Sequence, residues 1–239
     1  MIRRALILDL ETTGVDPVKD RIVEVGLVLY SVAHHTVIRC GSFLVDAGVG
    51  NAAERVNRIP ADALLVDGEG ESAVWAAVRK WSADADVLLG HNARTFDLLF
   101  LPPELRDRLP LVDTCHDIAW PGRPGDAELE RPGQGLVALA LAHGLGVASA
   151  HRALTDCLLI AALLDRVHEH GHDVQAMLVH GLRPKALFVV ADTGYSEERN
   201  ALVKAAGFKW DQPDARRQWS RFRAIDDAGA LPFAVREVR

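Results

Sequence analysis

Three apolar runs of strand length open the chain. Residues 3–10, 21–30 ("RIVEVGLVLY") and 36–45 ("TVIRCGSFLV") are dominated by Leu, Val and Ile. "TGVDPVKD" separates the first two, and its Gly14 and Asp16-Pro17 are turn signals. Such short connections predict an antiparallel meander. Residues 46–70 are rich in Gly, Asp and Asn and are expected to be loop with little regular structure. "ESAVWAAVRKWSA", 71–83, places Val74, Val78 and Trp81 at helical spacing. "ADVLLGHN" predicts a short buried strand ending at Gly90. "TFDLLFL" can start a helix that must break near Pro102-Pro103. "DTCHDIAW" predicts a further short helix, and 122–134 a mobile polar loop. "GLVALALAHGL" and "RALTDCLLIAALLDRVHEH" are helical, the second ending near Gly171. Strands first, then helices alternating with strands, predict an α/β domain with a mixed sheet covered by helices.

The pattern changes again near residue 180. "KALFVVAD" predicts a strand, and "SEERNALVKAAG" a helix with Ser196 as N-cap and Gly207 at its end. "FKWD…RQWSRFR" suggests a hairpin. Charge changes sign at the same place: residues 1–179 hold 16 Lys and Arg against 25 Asp and Glu, whereas 180–239 hold 11 against 8. The expected organisation is one domain over residues 1–180 and a small basic α+β module over 183–239.

Composition narrows the class. The chain has 239 residues, 49% hydrophobic and 25% charged, which suits one large domain with a small companion. No run of 18 apolar residues exists, so no membrane span is expected. The apolar stretch after Arg3-Arg4 is too short for a signal peptide and meets acids at once. Cys40, Cys115 and Cys157 are widely spaced and odd in number, which favours a reducing cytoplasm over a disulfide framework. A net charge of −6 argues against a protein that coats nucleic acid non-specifically.

Candidate chemistry begins at "LILDLETTGVDP". Asp9 and Glu11 interrupt the first apolar run at alternate positions. On a strand they share a face, with Cα atoms roughly 7 Å apart. Like charges so placed repel unless something positive lies between them. They mark either a solvated strand end or half of a metal site. Two later acids stand in apolar surroundings: Asp97 in "TFDLLFL" and Asp156 at the head of a strongly apolar helix. Isolated buried charge is costly and is tolerated when paired or metal-bound. Carboxylate oxygens suit Mg²⁺ or Mn²⁺. His151 precedes Asp156 by five positions, about 140° around a continuous helix, so the two converge only if His151 lies in the loop leading in.

Asp9-x-Glu11, His91-Asn92-x-x-x-Phe96-Asp97 and His151-x-x-x-x-Asp156 together resemble the three motifs of the DEDDh 3′→5′ exonucleases, the group of the bacterial DNA polymerase III proofreading subunit and RNase T. The common form of the second motif has one residue fewer between Asn and Phe. Motifs and context cover roughly residues 5–165. The resemblance implies an RNase H-like mixed five-stranded sheet. It implies that Asp9, Glu11 and Asp156 hold one divalent ion, that Asp9 bridges to a second supported by Asp97, and that the ions lie roughly 4 Å apart around the scissile phosphate. His151 would be the general base. Thr12 and Thr13 would meet the 3′-terminal nucleotide, with His91, Asn92 and Phe96 nearby; packing beside the metal helix is an equal reading of Phe96. The expected substrate is a nucleic acid 3′ end, single-stranded DNA before RNA. The alternatives are an exoribonuclease on the same fold and a non-catalytic nucleic-acid-binding or polymerase-associated subunit, with the identity of a polymerase or repair partner left open.

Other features are set aside. His168-Glu169-x-x-His172 matches a zinc-protease pattern, but Gly171 should end the helix between the histidines. Cys157 reads as a small core residue, His116 and His143 as structural or exposed, and Asp113 as a helix cap. "VKAAGFKWD…RQWSRF" is similar to a short βαββ module appended to some DNA-processing proteins. Its aromatics interleave with basic residues, which suits either a small core or a stacking surface for single strands.

Overall fold

The structure, a computed structural model, describes residues 1–122, 135–147, 150–191, 196–211 and 218–238. It divides into two units, Met1–Leu182 and Arg183–Arg239. In the first unit, strands β1 (Arg4–Thr12), β2 (Ile22–Ser31) and β3 (Thr36–Leu44) form the expected antiparallel meander. Strands β4 (Val87–Gly90) and β5 (Leu111–Asp113) add to it in parallel, giving the sheet order β3-β2-β1-β4-β5. This is a mixed, RNase H-like sheet.

Around it run helices α1 (Glu54–Asn57), α2 (Ala61–Asp67), α3 (Glu71–Ser82), α4 (Asp97–Phe100), α5 (Pro103–Arg106), α6 (Leu136–Ala142), α7 (Ala153–Glu169) and α8 (Val174–Gly181). Alternation along β1 sorts its residues between two cores. Leu6, Leu8 and Leu10 pack with Val74, Trp75, Val78 and Trp81 of α3. Ala5 and Ile7 pack with Cys157, Ile160 and Leu164 of α7. Asp9 and Glu11 continue the second set, so their side chains belong to the face that α7 covers. β2 is buried along its whole length, as expected of a strand covered on both sides.

Two expectations change. Residues 46–70 are not plain loop, since they hold α1 and α2. Asn51 Nδ2 donates to Asn57 Oδ1 (2.9 Å) and to the Ile59 carbonyl (2.8 Å), and Ile59 and Leu64 pack on Val23. Helices this short are held by tertiary contacts and leave no apolar period to read. "DTCHDIAW" is a hydrogen-bonded turn, because the Asp113 carboxylate takes the Asn92, Arg94 and Cys115 amides (2.9, 3.0 and 3.0 Å). The expected loop at 122–134 lies, from residue 123, outside the described residues. Gly171, at φ +86°, follows the end of α7, so His168 and His172 do not share a helix. No helix among the described residues is long and apolar enough to cross a membrane.

The second unit has β6 (Lys185–Val190), α9 (Glu197–Ala205), β7 (Lys209–Asp211), β8 (Gln218–Ala224) and β9 (Val235–Glu237), with a 3₁₀ turn at Ile225–Ala230. Its antiparallel sheet has the order β7-β8-β6-β9. Ser196 caps α9 by accepting from the Arg199 amide at 3.4 Å. Val203 packs on Ala186, Phe188, Val190 and Phe208. The 3₁₀ turn and β9 go beyond the βαββ expectation. The short "VRE" of β9 shows no apolar alternation and is defined only by its pairing with β6.

Candidate active site

In register, Asp9 faces Gly26 across the β1–β2 ladder and Glu11 faces Glu24. The N-terminal turn of α7 comes down on Gly26. A Cβ at that position would lie 2.2 Å from the Ala153 carbonyl carbon, closer than any side chain permits. Glycine therefore lets the helix reach the sheet, and Cys157 Sγ completes the approach with a 3.4 Å hydrogen bond to the Gly26 carbonyl. Asp156, in the first turn of α7, is thereby delivered to β1. One carboxylate oxygen from each of Asp9, Glu11 and Asp156 lies within 4.8 Å of the others.

A fourth acid fixes that turn. Glu24 is buried, at 1% exposure. It accepts from Arg152 Nε (3.0 Å) and Nη2 (2.9 Å), from the Ala153 amide (3.0 Å) and from the Ser42 hydroxyl. It thus binds a guanidinium side-on and caps a helix from the neighbouring strand. At the far end of α7 the Tyr30 hydroxyl donates to Asp165 Oδ1 at 2.6 Å. The sequence reading passed over Glu24 and Arg152. The available signal was one acid inside "RIVEVGLVLY", directly opposite Glu11 in the meander.

His151 lies, as expected, in the loop before the helix. Its backbone is left-handed, at φ +60°, and its amide donates to Asp156 Oδ2 at 3.3 Å. The residue is exposed at the edge of the acidic group. Asp97 opens α4 and is 2% exposed. Its Oδ1 accepts from the Leu10 amide at 2.9 Å, which ties it to β1 between Asp9 and Glu11. It stands outside the convergent trio but close enough to act on Asp9 electrostatically.

The remaining residues singled out from the sequence shape the surroundings. His91 Nδ1 lies 3.0 Å from Thr114 Oγ1. Asn92, at φ +64°, donates its amide to Asp113 and accepts at Oδ1 from Thr95 Oγ1 at 2.7 Å. Both are thus hydrogen-bonded to the β5 side of the β4–α4 loop. Phe96 packs against Phe100 with ring centroids 5.3 Å apart. Thr12 ends β1 and Thr13 follows it; both are buried, and their hydroxyls bond to the Gly14 carbonyl and to Asp20 respectively. The Thr13 amide donates to the Arg21 carbonyl at 2.8 Å, and the Thr12 carbonyl accepts from Asn57 Nδ2 at 3.2 Å.

The acids share one electrostatic problem. Burial, then Asp97, Asp156, Glu11 and Glu24, push the Asp9 carboxyl well above the usual carboxylate range. Burial, then Asp156 and Glu24, raise Glu11 to about 8. Burial raises Asp97 to about 7 against the hydrogen bond from Leu10, and burial also raises Asp156. Burial acts the same way on Glu24, but Arg152, Ser42 and the Ala153 amide outweigh it and hold that carboxyl low. Glu24 is therefore neutralised within the protein, whereas the trio is not. Among the described residues Asp156 Oδ1 is buried with no hydrogen-bond donor. An all-oxygen set with an unmet acceptor and surplus negative charge fits a hard divalent cation.

Comparison with known proteins agrees with this arrangement. The family model RNase T, described as exonuclease, matches residues 6–164. No curated protein sequence gives a significant match. Among solved structures, E. coli exonuclease I in a complex with single-stranded DNA and a zinc ion superposes with a TM-score of 0.59 at 20% identity, covering 84% of this chain and 49% of that one. Exonuclease X in complex with 5′-overhanging duplex DNA superposes at 0.53 and 24% identity, covering 74% and 99%. A 3′-exonuclease that recognises the histone mRNA stem-loop superposes at 0.56 and 15% identity, covering 72% and 65%. The chain spans about half the length of the exonuclease I structures it matches.

Proposed function

Because the chain belongs to the RNase T exonuclease family, we propose that it hydrolyses phosphodiester bonds from the 3′ end of a nucleic acid strand, releasing nucleoside monophosphates. The observation that carries the reading is the convergence of Asp9, Glu11 and Asp156, the last of which also has a buried oxygen with no donor. These three residues would hold one Mg²⁺ or Mn²⁺ ion, and Asp9 with Asp97 would support a second. Divalent ions, when bound, supply positive charge against the scissile phosphate and make water more acidic.

The chain's own residues then have distinct tasks. His151, exposed beside Asp156, takes the proton of the attacking water at an imidazole nitrogen. The water oxygen bonds to phosphorus, the bond to the 3′ oxygen of the preceding nucleotide breaks, and that oxygen gains a proton. Glu24 and Arg152 are positioning residues, because they hold the turn that carries both His151 and Asp156. The 3′-terminal nucleotide lies along Thr12 and Thr13, with Phe96 at its flank, and His91 and Asn92 brace the loop before Asp97. The described single-stranded DNA complex of exonuclease I supports DNA as substrate. The fold shared with a histone mRNA 3′-exonuclease supports RNA as the second reading.

The test is release of mononucleotides from 5′-labelled DNA and RNA oligomers with Mg²⁺ or Mn²⁺. Products should shorten stepwise from the 3′ end and cease in EDTA. Asp9→Asn and Asp156→Asn should stay folded and lose activity by about 10³-fold or more, since each removes a charged ligand. Full activity in EDTA, or in either variant, would overturn the metal account.

A further inference from the structure

Phe208, Trp210 and Trp219 could have formed one core in the second unit, but the fold separates them. Phe208 is buried at 3% exposure and packs with Val203, while Trp219 packs partly against the same cluster. Trp210 does not follow. It lies directly opposite Trp219 on the β7–β8 ladder, with ring centroids 5.5 Å apart and planes at 69°. It nonetheless remains 55% exposed, on the edge strand of the sheet. A tryptophan normally hides most of its ring in a core or an interface.

One cationic side chain stands on the face that carries the two paired tryptophans, whereas Lys209, exposed and next to Trp210 on β7, points to the opposite face. Lys204 lies in the last turn of α9, with Nζ 5.8 Å from the Trp219 ring. The two acids of α9, Glu197 and Glu198, sit in its first turn, at the opposite end. Residues 183–239 carry 11 basic against 8 acidic side chains, within a chain whose net charge is −6.

We propose that the second unit has its own contact for single-stranded nucleic acid, in which an unpaired base stacks on Trp210 and an adjacent phosphate meets Lys204. Charge decides the class of ligand: a polyanion suits the lysine and the basic excess of the unit, and a flat π-face suits the indole. Pairing decides the strand state, because a duplex keeps its bases stacked on one another and offers no free face to a side chain. Arg216 and Arg217 follow in the sequence and lie outside the described residues. The inference rests on reading the chain as a nuclease, and its test does not require catalysis.

The full chain is titrated in EDTA against a fluorescein-labelled oligothymidylate, followed by anisotropy. Trp210→Ala should weaken binding about 5- to 100-fold, the range for one stacked base. Trp210→Phe should recover most of the loss. Lys204→Gln should flatten the slope of log affinity against log salt by about 0.7. A blunt duplex should respond little to Trp210→Ala. If Trp210→Ala binds as the wild type does, or if the duplex loses as much as the single strand, the inference fails while the nuclease reading stands. If the wild type neither binds the oligomer nor cleaves it with Mg²⁺, both fail.

Discussion

A buried acceptor without a donor costs on the order of 1–3 kcal/mol, and more when it is charged. Asp156 Oδ1 is such an atom among the described residues, and it belongs to a carboxylate that converges with Asp9 and Glu11. At the residue scale, the site is a set of charges whose cost the fold leaves unmet until a cation arrives. His151 has a separate part: its amide donates to Asp156, while its side chain stands exposed beside that carboxylate. His151→Ala is therefore expected to slow turnover about 10²- to 10⁴-fold, with little change in the affinity for Mn²⁺ or for oligonucleotide. Single-turnover rates together with metal titration check this. If oligonucleotide binding is lost and turnover of the bound complex is kept, the imidazole holds phosphate instead.

At the scale of elements, the decisive junction is between β2 and the start of α7. Gly26 removes the side chain that would hold the helix off the sheet, and Glu24 fastens the helix where Gly26 admits it. The two stand on the same face of one strand, two residues apart. Glu24→Gln keeps the shape and removes the charge that balances Arg152. Glu24 is buried but the Arg152 side chain is 38% exposed, so the loss is that of hydrogen bonds to a charged group, about 1.5–3 kcal/mol, and a fall in Tm of roughly 3–10 °C is expected for a unit of this size. Affinity for Mn²⁺ should fall as well, because Asp156 rides on the fastened turn. Calorimetry with metal titration tests both, and a variant with wild-type Tm and metal affinity would show that the ion pair does not set the turn.

For the whole molecule, the raised carboxyls make stability depend on pH in an unusual direction. Glu11 titrates at about 8 and Asp97 at about 7 in the folded protein, and Asp9 and Asp156 are raised as well. In the unfolded chain the same groups ionise near 4. Between those limits the folded state binds more protons, so unfolding becomes easier as pH rises. In EDTA the protein should therefore have a higher Tm at pH 5.5 than at pH 8. Divalent metal should reverse the order, because it binds the ionised acids and stabilises the folded state by mass action. Thermal scans at the two pH values, with EDTA and with Mn²⁺, give the comparison. A metal-free Tm that rises toward pH 8 would contradict the repulsive cluster.

The two acids on β1 were legible because a strand repeats every two residues, so any strand at residues 3–10 must put Asp9 and Glu11 on one face. Asp156 was legible as the one acid at the head of an apolar helix, and Asp97 as an acid within an apolar stretch. The meander followed from its short turns. Other features depended on which strand lies beside which. Glu24 looked like an ordinary polar position until the β1–β2 register set it opposite Glu11 and the helix brought Arg152 to it, 128 residues away in the chain. The same holds for Asn57, which looked like loop and reaches back 45 residues to the Thr12 carbonyl. Trp210 and Trp219 were one aromatic pattern in the sequence, and only tertiary packing set Trp219 partly against the core of the second unit and left Trp210 55% exposed. Local periodicity is written in the order of residues, whereas hydrogen bonds and burial between distant segments exist only once the chain has closed on itself.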